Sequence, residues 1–413
     1  MRRAVVLILA GCAHPAPAER PDAPDVVPAD QQRRFTIWLG GAQVGTATES
    51  EVWSHAGVIF RRTEALQFLR GDAPVALTTT IEIHASMQLV PTFVRWTELG
   101  FGSRHGEARR DAGGWHVTLD GARLTLPAAA LPAELVPLVI RRDGQFTGAV
   151  FLPARGFVTG SGHITPATPS RLIARLALDA GPIVEATIDL GADGSPVRVV
   201  DGEGVIAMRA TEAQATAPFP LVDLIAATSV PLTGTRIRGH RLALIGDLAL
   251  PALPAQSAHA GDASLEIELS ASLPGDLPAV PSGADRSGDI TMLVAAVRSP
   301  ISPDLRAGAP TPRDAASATA GDCTTFALAY AALATSARIP TRVVTGLRID
   351  GDRLIRHRWA VSWTGRAWIA VDAAFGVAPA GGDLIGLAIH DADDAGLIAG
   401  EAALTQVRAA AWL

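Results

Sequence analysis

Apolar and polar residues alternate with a period of two through most of the stretch from Gln31 to Thr228. That pattern predicts strands with one buried face. Residues 35–39 and 42–45 flank Gly40-Gly41 and read as a hairpin with a glycine turn. Residues 77–84 (LTTTIEIH) are β-branched and alternating. Segments 115–119 and 123–126 meet at Asp120-Gly121, and 183–190 and 196–200 meet near Asp193-Gly194. One helical candidate, 132–140, interrupts the series. Segments 238–250 and 263–273 read as further strands, with 251–261 a loop between them.

The pattern changes at Asp289. Residues 290–297 have helical spacing, and a Pro- and Ala-rich loop follows to Ala320. Residues 324–338 form an Ala/Leu-rich helix that the Ile339-Pro340 pair ends. A buried-type strand is expected at 342–347. Strands 359–363 and 367–371 meet at Thr364-Gly365, and loop alternating with short helix is expected to Leu413. The predicted fold is α+β, an antiparallel β-rich region followed by an α+β domain. The boundaries are 1–12 for a signal, 13–30 for a tether, 31–228 for the β-rich domain, 229–273 for a small β unit, 274–288 for a linker dense in Pro, Gly and Ser, and 289–413 for the last domain.

Composition narrows the function. The 413 residues are 48% apolar and 18% charged, enough to bury large cores and too apolar for disorder. The net charge of -6, without a basic run, argues against a nucleic-acid partner. The chain has no Lys and no Asn. The first absence removes P-loop and Schiff-base chemistry. The second removes one common partner of a working His. Nine of the ten His, all but His357, show no ligand spacing, and Cys-x-x-Cys and His-Glu-x-x-His patterns are absent, so no metal and no cofactor are expected.

The two cysteines stand in different settings. Arg2 and Arg3 precede the apolar run 4–10, which is too short to span a bilayer. Leu9-Ala10-Gly11-Cys12 follows and resembles the bacterial lipobox, in which the Cys becomes the lipidated first residue. The Pro-, Ala- and Asp-rich segment 13–30 suits an extended tether. The resemblance implies a lipid anchor at Cys12 in the cell envelope. Ala13 lacks the inner-membrane Asp signal of enteric-type bacteria, which favours the outer membrane.

Cys323 lies in Gly321-Asp322-Cys323-Thr324-Thr325, at the predicted start of the Ala-rich helix. Free N–H groups and the helix dipole favour a thiolate there, and the same N–H groups can meet an oxyanion. Asp322 is placed to cap the helix. His357 on one strand and Asp372 at the end of the next can converge on that thiol. In this reading Cys323 is the nucleophile, His357 the general base and acid, and Asp372 the group that orients the imidazole.

The order of these motifs resembles the bacterial transglutaminase-like superfamily. The residues that carry the likeness are Gly321, Cys323, Ile339, Pro340, Arg342, Gly346, His357, Trp359, Trp368 and Asp372, within 289–376. The resemblance implies a papain-like core with a Cys-His-Asp triad. Two departures stand out: Ala373 replaces a frequent Pro, and Ala360-Val361-Ser362 replaces a frequent acidic residue. Pro340 and Gly346 read as structural, a helix stop and a strand bend. Trp359 reads as core or as a wall of a groove, beside the loop before Ala320. The expected function is cysteine-dependent acyl transfer on a peptide, protein or cell-wall amide, by hydrolysis. Amine transfer that cross-links proteins, or a silent scaffold lipoprotein, are the alternatives.

Overall fold

Alternation builds the first domain as expected. In Gly114–Leu119, Trp115, Val117 and Leu119 are buried while His116 and Thr118 face solvent. The computed structural model describes residues 27–413 apart from 180–182, 202–203, 237–239, 247, 262–263, 271, 276, 279, 281–282 and 309–311. Cys12 and most of the 13–30 segment therefore lie outside the described residues.

Successive hairpins form a 15-stranded sheet. One arm runs from Gln31–Leu39 out to Ala122–Leu126. The chain then passes through the helix Val136–Asp143 and returns as a second meander from Phe146–Leu152 to Val205–Ala210. The last strand pairs antiparallel with Gln31–Leu39, joining the two arms at the middle of the sheet. Trp96, Trp115, Phe151 and Phe157 pack with Leu135 and Leu138 of the helical segment. The Trp115 indole N–H, deep in this core, donates to the Ala130 carbonyl at 2.9 Å.

A 10-stranded sheet carries the second domain. The helices Ser287–Arg298 and Cys323–Ser336 pack on it through Ile290, Val294, Phe326, Tyr330 and Ala334. Tyr330 is buried at the helix–sheet seam, and its hydroxyl meets Ser362 Oγ at 2.9 Å.

Three expectations need correction here. Segment 229–273 is no separate unit. Val230–Thr233 pairs with Arg353–Trp363, and Arg241–Gly246 pairs with Val407–Trp412, so its strands extend the second domain's own sheet. Leu242, Leu244 and Ile267 share one core with Leu347 and Leu354, which is where their apolar faces are buried. The expected loop 251–261 contains the strand Gln256–Ala260, which pairs with Leu265–Leu269. The C-terminal stretch holds the strands Val377–Ala380, Leu384–His390 and Val407–Trp412 around the helix Asp394–Leu404. Their runs are short or continuously apolar, and periodicity does not separate buried strand from helix there.

The two domains touch beside the start of the Cys323 helix. Arg70, ending the strand Gly57–Arg70, donates to the Leu305 carbonyl at 3.0 Å and to Asp322 Oδ2 at 2.6 Å.

Candidate active site

The helix that begins at Cys323 is started by its own sequence. Asp322, in an extended conformation, accepts from the N–H groups of Thr324 (3.0 Å) and Thr325 (3.2 Å) through one carboxylate oxygen. Its other oxygen takes the Arg70 guanidinium from the first domain. The cap thus leaves the Cys323 N–H beside its own sulfur, at the positive end of the helix. Gly321 is fixed by space: a Cβ there would lie 2.3 Å from the Thr325 side chain, which folds back over the turn. This gives a physical reason for Gly two residues before Cys.

His357 lies in the middle of the strand Arg353–Trp363, paired with Gly346; this strand begins before the expected 359–363. Gly346 is fixed by close packing, since an added Cβ would meet the Ile385 carbonyl at 2.0 Å and the Trp359 ring at 2.8 Å. The strand Trp368–Asp372 pairs with the far half of the His357 strand. Asp372 ends it, and its Oδ2 meets His357 Nε2 at 2.8 Å. Its Oδ1 accepts from the Phe375 N–H at 3.3 Å. With Nε2 taken by Asp372, Nδ1 is the ring nitrogen left for Cys323, which lines the same cleft as His357 and acts on its protonation. The structure therefore joins His357 to Asp372 and sets Cys323 and His357 in the lining of one cleft.

Two buried imidazoles in this sheet show what the carboxylate does. Burial alone lowers a histidine pKa. At His357 the hydrogen bond to Asp372, then the interaction with Cys323, outweigh burial and push it up to about 9. His390 has a backbone partner, the Asp391 carbonyl at 2.7 Å, and accepts from Thr345 Oγ1 at 2.9 Å. There burial prevails and the pKa falls to about 4. Histidine NMR should therefore show a resonance titrating near 9 that is absent in His357→Gln. Asp372→Ala should move it downward, since burial then acts with less opposition. An unmoved resonance would separate Asp372 from the charge state of His357.

Above these residues lies a cleft of about 770 Å³. Its floor comes from the second domain and includes Cys323, His357, Thr345, Arg358 and Glu401, while Leu66, Phe68 and Arg70 of the first domain form the opposite wall. The loop before Ala320 contributes Asp304, Leu305 and Gly308, as the sequence reading expected. Trp359 does not line the cleft. It is 3% exposed, stacks on the inner side of His357 with ring centroids 6.0 Å apart, and packs with Leu253 and Val344. Alternation along the strand puts it on the His357 side, but deeper in the core.

Sequence reasoning missed several lining residues. Phe375, 53% exposed, meets the His357 ring edge-on at 5.6 Å and covers it from the cleft side. Arg358 is buried and ties three elements together, bonding Thr345 Oγ1 (2.9 Å), Thr324 Oγ1 (2.8 Å) and Glu401 (2.7 Å). Arg70 and Glu401 are far from the motif in sequence, and only the tertiary fold places them here. Phe375 was within reach of sequence reading, three residues after Asp372, but a turn aromatic carries no distinguishing pattern. Among the described residues no group of three His, Cys, Asp or Glu side chains could hold a metal ion, and no helix is long and apolar enough to cross a membrane.

Comparison with known proteins gives three results. A beta-barrel-like protein of a domain of unknown function from Brucella abortus aligns with 44% of this chain and 95% of its own, at 11% identity and a TM-score of 0.35. No curated protein gives a significant match. Residues 290–373, which include Cys323, His357 and Asp372, match the transglutaminase-like superfamily, a superfamily of cysteine-dependent acyl transferases and hydrolases.

Proposed function

We propose that the protein is an enzyme that opens amide bonds through a cysteine thioester and releases the acyl group to water. The observation that carries this reading is His357, held by Asp372 at 2.8 Å and lining an open cleft together with Cys323. A Cys on a helix with His and Asp on adjacent strands is the arrangement expected of a papain-like core.

In this mechanism the proton shared by the Cys323–His357 pair rests on the imidazole, and the sulfur attacks the amide carbon. The carbonyl oxygen becomes an oxyanion within reach of the Cys323 N–H. The C–N bond breaks as His357 returns its proton to the leaving amine, leaving a thioester. Water then gives a proton to His357 and attacks the thioester carbon. Breaking the C–S bond frees the carboxylic acid, and His357 returns the proton to the sulfur. Asp372 stabilises the imidazolium at both stages and fixes which ring nitrogen faces the sulfur.

A thiol-directed electrophile tests the assignment. Peptide mapping after iodoacetamide treatment near neutral pH should find Cys323 alkylated fast. His357→Ala should slow that reaction by about tenfold or more, since a base no longer assists thiolate formation. Equal rates in the two proteins would remove Cys323 and His357 as a pair.

We also propose that the chain is anchored in the cell envelope, with the outer membrane favoured, through lipid on Cys12. The support is Leu9-Ala10-Gly11-Cys12 after a short apolar run. One acyl chain holds a protein only marginally, so stable anchoring needs several. Intact mass spectrometry of detergent-extracted protein should show a diacylglyceryl group on an N-terminal Cys12. A mature protein that starts elsewhere without lipid would overturn this.

A further inference from the structure

The wall facing Cys323 belongs to the other domain, and its chemistry contrasts with the floor. It presents Leu39, Leu66, Phe68 and Leu77 from three strands of the 15-stranded sheet, Phe101 from the bend after one of its strands and Leu224 from a short helix. Each charge lining the cleft has an internal partner. Arg70 pairs with Asp322, Asp304 with Arg306, and Arg356 and Arg358 share the single carboxylate of Glu401. A charged side chain set against this wall would lose its hydration to apolar side chains without a partner on the wall.

The floor is not apolar. It offers the Thr324 hydroxyl, and Arg356 and Glu401 keep 35% and 38% of their side chains exposed. A bare hydrocarbon chain would strip the remaining water from these groups without replacing its hydrogen bonds, whereas a peptide backbone supplies donors and acceptors for them. The volume of about 770 Å³ lies within the range of small-ligand clefts, roughly 300–1,000 Å³. It has room for a few residues of chain and not for a folded surface.

We propose that the first domain is the specificity wall of this site, and that the cleft selects an uncharged peptide segment with bulky aliphatic or aromatic side chains beside the bond to be cleaved. The choice of bond rests on the function proposed above. The side-chain preference rests on the wall alone, and binding can test it without turnover.

The test uses the full chain carrying Cys323→Ala, so that bound peptide is not consumed. Fluorescence anisotropy would compare three end-labelled probes. One is a blocked pentapeptide rich in Leu and Phe, the second has Glu at those positions, and the third is a decanoyl amide without a peptide. The apolar pentapeptide should bind at least about tenfold more tightly than the acidic one. Adding Leu66→Glu, a half-buried position on the wall, should weaken apolar binding by about tenfold or more. Leu66→Gln, similar in volume and uncharged, should weaken it less. Thermal melts identify a variant that fails to fold, and the peptide preference of the parent protein stands without either variant. Equal affinity for the two peptides, tighter binding of the acidic one, or binding of the decanoyl amide alone would overturn the proposal. Apolar binding together with an inert Cys323 would keep this inference and remove the enzyme reading. Turnover without side-chain preference would do the reverse.

Discussion

Cys323→Ala is expected to reduce amide hydrolysis by about 10⁴-fold or more while leaving the fold intact. The chemical part follows from the thioester route, since a methyl group cannot attack a carbonyl and a water bound in its place lacks the alignment of the sulfur. The structural part follows from position. Cys323 is only partly buried, at the start of its helix, and the cap is made by Asp322 with Thr324 and Thr325. Removing one sulfur there creates at most a small cavity open to the cleft. Thermal midpoints of the two proteins should therefore agree within a few degrees. His357→Ala should be about as damaging to turnover, because nucleophile and base act as one unit. Asp372→Ala should cost less, since the base survives without its orienting partner. Turnover by the Cys323→Ala protein comparable to the parent would end the nucleophile assignment, whatever the labelling experiment gives.

The site was legible in sequence where its chemistry is carried by local pattern. Gly321-Asp322-Cys323 at the head of an apolar helix, and strands ending near Asp372, need only short-range rules to be read. The structure adds why Gly321 and Gly346 stand where they do: the Thr325 side chain, and the Ile385 carbonyl with the Trp359 ring, fill the space that a Cβ would need. What could not be read is every contact made by strand order. Leu66, Phe68 and Arg70 look like ordinary members of a long alternating strand. Nothing in their spacing says that the strand's end points at Cys323. The same holds for 229–273, whose strands looked like a unit of their own because their partner, Val407–Trp412, is far away in sequence. Their alternation revealed a buried face but not the partner that buries it.

The first domain's contribution to the cleft depends on a charge cluster within it, and this gives the largest stability effect expected. Glu51 is fully buried in the strand Ala42–Ser54. It accepts from Arg33 on the neighbouring strand, from Arg141 in the last turn of the helix Val136–Asp143 at 2.6 and 3.1 Å, and from the Trp53 indole at 3.1 Å. Burial by itself raises a carboxylate pKa, but the hydrogen bonds from Arg141 and Arg33 prevail and hold Glu51 below its ordinary range. Glu51→Ala would leave Arg33, 4% exposed, with Glu49 at 3.4 Å as its remaining carboxylate. Breaking a buried pair in this way costs about 3–5 kcal/mol, so the first domain's thermal midpoint should fall by about 6–20 °C. Glu51→Gln, which keeps the shape and one acceptor, should cost less. The sign with pH follows from the lowered pKa. The carboxylate's contribution is present above its unfolded value near 4.5 and is lost as pH falls through the lower folded value. Acid should thus erode the parent's advantage over Glu51→Gln only below about pH 4.5. Because Glu51 ties the helix to the strand next to the one carrying Leu66, Phe68 and Arg70, the destabilised domain should also lose apolar peptide binding before the second domain melts. Calorimetry with two transitions, the first shifted by Glu51→Ala and the second unchanged, is the expected record. A single unshifted transition would show that the cluster bears no weight in the fold.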